Sequence, residues 1–220
     1  MKKISIAIDG PSGAGKSTIS DLLAKELNYT HLDTGAMYRA VAYSANQKGI
    51  AYDAEEALVK LIEDMDLKMP ADGSVILENK DISEEIRTNE MSLAASDVSK
   101  LFKVREALVK MQQNISKDGG YILDGRDIGT VVLKDAEVKL YLTASAEARA
   151  QRRLIQNKKK GIAGDYETIL EEINKRDYQD SHREHSPLTK ADDAIEIDSS
   201  NLSIQEVVDL ALEIINEKIK

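Results

Sequence analysis

Residues 10 to 17 read Gly-Pro-Ser-Gly-Ala-Gly-Lys-Ser, a run whose residue types and spacing suit the wrapping of backbone N–H groups around phosphate oxygens. Glycine lets the chain curl tightly enough to turn its amides inward. Lys16 is then placed to reach β- and γ-phosphate oxygens, and the Ser17 hydroxyl to ligate Mg²⁺, largely through water and the phosphates themselves. The pattern G-x-x-x-x-G-K-[ST] is met without departure, so Gly10, Pro11, Ser12, Gly13, Ala14, Gly15, Lys16, Ser17 and the adjoining Thr18 are the candidate triphosphate-binding residues. A glycine-rich turn that only joins a strand to a helix is the bland alternative. The flanks weigh against it, because an apolar run precedes the loop and a helix-spaced stripe succeeds it.

Arginine supplies a second signal. The chain has 21 lysines and nine arginines, so its solvated surfaces are built mainly with lysine, and each guanidinium, suited to bidentate contact with phosphate, invites inspection. Arg149, Arg152 and Arg153 fall at i, i+3 and i+4, share one helix face and can converge on one anion. Tyr166, Ile169 and Ile173 form an apolar stripe whose continuation lands on Arg176, Asp180 and Arg183, so a face due for burial becomes charged. Such a face is costly against a core and sensible against a nucleotide; a solvated helix end with internal ion pairs accounts for the same spacing.

The fate of a bound triphosphate is narrowed by exclusion. A GTPase-type Asn-Lys-x-Asp is missing, since Asn157-Lys158 runs into Lys159-Lys160. Asp124 is followed by Gly125 and not by the Glu that orients water in motor ATPases. His31 stands alone in the sequence, and His182 and His185 read as a solvated helix end, so no histidine reads as a base. Hydrolysis is disfavoured. A kinase that phosphorylates another phosphate needs no base, because its acceptor, with a second pKa of about 6, is already ionised at neutral pH. It needs fixed cations that hold two charged groups together.

The elements that must position these groups are set by periodicity. Residues 3–9 form a nearly continuous apolar run, the signature of a buried parallel strand, and Ile19, Leu22, Leu23 and Leu27 come after it at helical spacing. Further strands are expected at 29–33, 121–124, 138–143 and 194–197, and helices at 35–48, 54–64, 101–115, 145–157 and 166–182. A basic, flexible link over 158–164 joins the last two of those helices. The closing helix opens with Ser203 and Glu206 at capping-box spacing. Between residues 52 and 87 lie eleven acidic residues and an Asp72-Gly73 turn flanked by apolar stretches, read as a small antiparallel hairpin insertion. Strands alternating with helices imply right-handed crossovers and a parallel sheet covered on both faces.

Composition agrees with a globular chain, at 42% hydrophobic and 31% charged residues. The net charge of −9 argues against nucleic acid as a partner. No cysteine is present, which excludes disulfides and thiolate metal sites. Asp9 interrupts the N-terminal apolar run too early for a signal peptide, and no run approaches the ~20 residues of a membrane span. A cytoplasmic monomer is expected.

The sequence resembles the bacterial cytidylate kinases of the nucleoside monophosphate kinase family over essentially its whole length. The residues that carry the resemblance are Ile8 to Ser17, Leu32-Asp33-Thr34-Gly35-Ala36-Met37-Tyr38-Arg39, Glu85-Ile86-Arg87, Val104-Arg105-Glu106-Ala107-Leu108, Asp124-Gly125-Arg126-Asp127-Ile128-Gly129-Thr130-Val131-Val132, Arg176-Asp177, and the enlarged hairpin near 66–84. The resemblance implies a P-loop kinase of α/β class with five parallel strands. It implies one domain over 1–220, with a core of 1–36, 100–144 and 184–220, an acceptor-binding insertion of about 37–99 and a short lid of about 145–183. It implies ATP as phosphoryl donor, Mg²⁺ as cofactor and CMP or dCMP as acceptor in pyrimidine nucleotide metabolism; a same-fold kinase for UMP or AMP, or a nucleotide-dependent switch, is the alternative. Lys16, Arg126, Arg149 and Arg153 are implied to be catalytic, the last two as lid arginines over the transferring group. Arg39 and Arg126 match residues on the acceptor phosphate, with Thr34 nearby in place of the more usual Ser. Ser96, Arg105, Asp127 and Arg183 match residues around the base, and Arg176 and Asp180 those near the ribose. Arg87 has a counterpart but no assignable chemistry, and a surface ion pair is the plainer account. Cytosine suits these side chains independently, because its exocyclic amine donates where uracil presents an acceptor.

Overall fold

The computed structural model describes residues 3–159 and 161–219; Lys160 of the basic link, the N-terminal Met1-Lys2 and the final Lys220 lie outside the described residues. Five strands, β1 (Ser5–Asp9), β2 (Thr30–Asp33), β6 (Tyr121–Gly125), β7 (Val138–Thr143) and β8 (Ile195–Asp198), form one parallel sheet in the order β2-β6-β1-β7-β8. Its centre is apolar on both faces because side chains alternate along a strand. Ala7, Leu32 and Leu123 point into one core, closed by α2 (Thr34–Gln47) and α5 (Phe102–Ser116). Ile6, Ile8, Ile122 and Leu140 point into the other, closed by α1 (Lys16–Leu27) and α8 (Ile204–Ile219). Each fully buried aliphatic side chain is worth about 1.5–3 kcal/mol. Such burial outweighs the weak intrinsic preference of short strands such as Thr-His-Leu-Asp.

Helix starts are set locally. Asp33 caps α2 by accepting from the Ala36 N–H at 2.9 Å. Ser203 and Glu206 form the anticipated capping box at α8, with Ser203 N–H donating to Glu206 at 2.8 Å and Glu206 N–H to Ser203 at 3.3 Å. The two helices α6 (Ala146–Lys159) and α7 (Tyr166–His182) come after β7 and pack on one another as an arm beside the sheet.

The insertion differs from its sequence-based description. After α3 (Glu55–Asp64), β3 (Leu67–Lys68) and β4 (Ile76–Leu77) pair across the Pro70 to Gly73 turn as anticipated, but β4 also pairs with β5 (Lys80–Asp81). The tighter hairpin is the second one, with Glu78 and Asn79 at φ 49° and 64°. A two-residue turn of that hand normally advertises itself with glycine, and Glu-Asn does not. A 3₁₀ turn (Glu85–Arg87), the helix α4 (Asn89–Val98) and a π-helical turn (Ile128–Val132) were likewise not signalled by apolar periodicity. Among the described residues no helix is long and apolar enough to cross a membrane.

Gly10 shows how tightly the sheet grips the phosphate loop. At φ 147°, a Cβ there would sit 2.0 Å from the Leu142 carbonyl oxygen. Gly10→Ala is therefore expected to lower stability by at least ~2 kcal/mol, roughly 4–8 °C in Tm for a chain of this size, as read by thermal denaturation.

Candidate active site

All five parallel strands end at one edge, where the loops carrying the candidate residues meet. Gly13 and Gly15 take φ values of 78° and 98°, and the curled loop ends at the start of α1. Lys16 is folded against this loop, its Nζ donating to the Gly10 and Pro11 carbonyls at 2.8 and 2.9 Å. Burial lowers its pKa to about 7, helped by the charge of Arg126. An ammonium so placed gains from an anion.

Beside it opens a cleft of about 320 Å³ lined by six of the nine arginines: Arg39, Arg105, Arg126, Arg153, Arg176 and Arg183. Residues far apart in sequence, from Arg39 to Arg183, are thus gathered at one surface. Most of these cations rest on carboxylates. Arg39 donates to Asp33 and Arg126 to Asp180, at 2.9 and 2.8 Å. Arg105 donates to Asp127, whose other oxygen lies 3.9 Å from Arg183. Burial works against the Arg126 charge, yet Asp180 outweighs it and holds Arg126 above its ordinary value. Arg176 has no carboxylate within ion-pair distance among the described residues, and burial, with Arg126 next, pushes its pKa down to about 10. Four donors, Arg39 Nε, Arg105 Nε, Arg176 Nε and Arg183 Nη2, are buried with no acceptor among the described residues. Unmatched buried donors are expensive, so this wall is built for a ligand rich in acceptors.

Thr34, Ser96, Asp127 and Asp180 line the same cleft, on α2, on α4, after β6 and on α7. Thr34 Oγ1 donates to the Asp124 carbonyl at 2.7 Å, so its hydroxyl faces the cleft as an acceptor. Ser12, Gly13, Gly15, Ser17 and Thr18 line the loop side, and a groove of about 900 Å³ continues past Ala14 between α6, α7 and the segment after β8.

The α6 arginines behave differently from the expectation that they converge on one anion. Arg149 is buried behind the loop, where its guanidinium meets Asp177 at 3.0 and 2.6 Å and the Ser12 carbonyl at 3.1 Å. Its donors are engaged, so in this conformation it braces the loop and does not reach over it. Arg152 turns to Ser199, leaving Arg153 as the α6 arginine that faces the cleft. The side chains fan out because each finds a different acceptor on a neighbouring element. Among the described residues Arg87 pairs only with Glu84, at 3.4 Å and exposed.

Sequence reasoning named Asp127 and Asp180 but missed the carboxylates Asp9, Asp33 and Asp124 and one histidine. His31, alone in sequence, is flanked in space by Asp21 and Asp124 at 2.6 Å each. Burial by itself would lower its pKa, but the hydrogen bonds to Asp124 and Asp21 prevail and raise it to about 10. Asp9 closes the floor by accepting from the Ile128 and Gly129 N–H groups at 2.8 and 2.7 Å. Burial raises its pKa to about 6. The available signal for these residues was a carboxylate at or near the end of each of three strands, Asp9, Asp33 and Asp124.

A glycine-curled loop, a buried lysine and a wall of guanidinium groups at the carboxyl edge of a parallel sheet define a P-loop phosphotransferase. Solved structures agree on the fold: a shikimate kinase from Bacteroides thetaiotaomicron superposes with a TM-score of 0.50 at 11% identity over 97% of this chain and 98% of that one. The protein TT1252 from Thermus thermophilus does so at 0.50 and 17% identity, over 100% of both chains. The family model described as cytidylate kinase matches residues 6–217, and the chain belongs to that family. Curated cytidylate kinases from Caldicellulosiruptor bescii and Bacillus subtilis are 52% and 50% identical, covering 100% and 99% of this chain and 99% and 98% of theirs.

Two outcomes are expected. The raised His31 pKa stabilises the folded state fully below about pH 6.5, the unfolded value, and this contribution is lost as pH rises through about 10, by about 1.4 kcal/mol per unit. Urea titrations of wild type and His31→Gln should therefore diverge most at pH 6 and converge by pH 10. Arg149→Met should cost about 3 kcal/mol by removing the partner of Asp177, whereas Arg153→Met, at an exposed position, should leave the urea midpoint nearly unchanged while lowering kcat.

Proposed function

We propose that the protein transfers the γ-phosphoryl group of ATP to CMP and dCMP, giving ADP and the corresponding diphosphate. The observation that carries this reading is the cleft of six arginines with unmatched buried donors facing Lys16 across the loop, in a chain of the cytidylate kinase family. ATP lies along residues 10–18, with its base in the groove beyond Ala14. Arg39 and Arg126 hold the acceptor phosphate, with Thr34 nearby, its hydroxyl proton engaged by the Asp124 carbonyl. Arg176 and Asp180 face the ribose, and Ser96, Arg105, Asp127 and Arg183 surround the cytosine.

In the transfer, an acceptor phosphate oxygen, already ionised, attacks the γ-phosphorus and the bond to the β–γ bridging oxygen breaks. Lys16 and Arg153 take up charge spreading over the transferring group, and Arg126 keeps the acceptor in line. Arg149 contributes by fixing the Ser12 segment through its carbonyl. Ser17 Oγ donates to Asp124 Oδ2 at 3.1 Å, so a hydroxyl and a carboxylate meet at the foot of the loop, a hard-oxygen pair that fits Mg²⁺ retaining most of its waters. When held there with ATP, Mg²⁺ would supply positive charge that offsets the charge of the phosphates.

Residues 37–99 are the acceptor-binding unit and about 145–183 the lid, moving against a core of 1–36, 100–144 and 184–220. Closure would bring Arg153 over the transferring group and exclude water. The protein acts as a monomer on small nucleotides in this reading, and its cysteine-free, acidic composition suits the cytoplasm.

ADP formation in a coupled assay is expected to require CMP or dCMP and to be weak with UMP or AMP; nucleotide binding without CMP-dependent ADP would refute transfer activity. Asp127→Asn is expected to reduce the ratio of kcat/KM for CMP over UMP by roughly tenfold or more, since the carboxylate accepts from the cytosine amine and repels the uracil oxygen. An unchanged ratio removes Asp127 from base recognition.

A further inference from the structure

Asp21 on α1, His31 on β2 and Asp124 on β6 form one hydrogen-bonded line that ends on the phosphate loop. Asp21 Oδ1 lies 2.6 Å from His31 Nδ1, His31 Nε2 lies 2.6 Å from Asp124 Oδ1, and Asp124 Oδ2 accepts from Ser17 Oγ at 3.1 Å. We infer that His31 is a positioning residue, which locks the Asp124 carboxylate so that Asp124 and Ser17 present a set pair of oxygens to the Mg²⁺ that accompanies ATP. This rests on the proposed placement of Mg²⁺ at that pair.

Three features support it. Carboxylates only accept, so a ring between two of them must donate from both nitrogens, and the geometry itself makes His31 an imidazolium. Asp124 is held from both sides, one oxygen by His31 and the other by Ser17, so rotation about its carboxyl bond would break one contact or the other. Asp33 lies directly opposite Asp124 in the β2–β6 register, and two neighbouring carboxylates would repel without a cation between their strands. Arg39 and the Ala36 N–H already engage Asp33, which leaves His31 to serve Asp124. The line is shielded at the loop end, where Asp124 is 5% exposed, and open at the other, where Asp21 is 54% exposed. An outer partner that orients a metal-associated carboxylate typically changes metal affinity by about 10- to 100-fold when removed.

A purely structural brace between α1, β2 and β6 would have the same geometry, so the test must separate metal-dependent from metal-independent binding. Calorimetry with the non-hydrolysable analogue β,γ-imido ATP, with and without Mg²⁺, measures both in the intact protein. His31→Gln is expected to leave metal-free affinity within about twofold of wild type and to cut the Mg²⁺-dependent gain in affinity roughly tenfold. Asp21→Asn, a change at the exposed end that spares the core, is expected to cut the gain in the same direction but less, and it decides the matter alone should His31→Gln fail to fold. Retention of the wild-type gain by both variants, or equal loss of affinity with and without Mg²⁺, overturns the inference. Absence of any Mg²⁺-dependent gain in wild type removes the metal placement itself and the inference with it.

Discussion

Lys16 and six arginines share one cleft, and cations at that density stay together only because most are set against carboxylates. Asp33, Asp127 and Asp180 play that part for Arg39, Arg105 and Arg126. The compensation is incomplete: Lys16 and Arg176 are held below their ordinary pKa values, by burial first and by neighbouring cations after it. A site in this state gains electrostatically from multiply charged phosphates, and the gain is large because the groups are already desolvated and aimed. For the same reason the bare guanidinium nitrogens, which would be a defect in a core, are an asset beside a nucleotide.

The parallel sheet makes this concentration of charge possible. Its strands bring their carboxyl ends to one edge, so Asp9, Asp33 and Asp124 become neighbours although they lie far apart in the chain. Apolar packing on both faces provides the stability against which the charged edge can be held. The fit is close where the loop leaves β1, since the Leu142 carbonyl occupies the space a Gly10 side chain would need.

Between the core and the arm of α6 and α7, the linkage is again ionic. Arg149 joins the loop at Ser12 to Asp177 on α7, so a movement of α7 is felt at the phosphate loop. Arg126 and Asp180 join the same helix to the end of β6. Both pairs tie the arm to the core at the side where the phosphate loop and the cleft lie.

Much of this was legible in the residues alone. The five strands, the phosphate loop, the helices α6 and α7 and the capping box at Ser203 stem from short-range periodicity and from a motif whose glycines have a local steric reason. The clustering of Arg39, Arg105 and Arg126 was legible only through resemblance, because nothing within a few residues of each says where it points, whereas Arg176 and Arg183 were singled out by the apolar stripe they continue. The β4–β5 turn and α4 were not legible, since Glu78-Asn79 lacks the glycine of its turn type and α4 buries only Met91, Ala94, Ala95 and Val98, too small a stripe to stand out. Tertiary structure alone decided which acceptor each arginine meets, dispersing Arg149, Arg152 and Arg153 from a shared helix face, and which neighbours His31 acquires. Backbone form is set by interactions over a few residues, whereas the partner of a charged side chain is chosen among groups that only the folded sheet brings within reach.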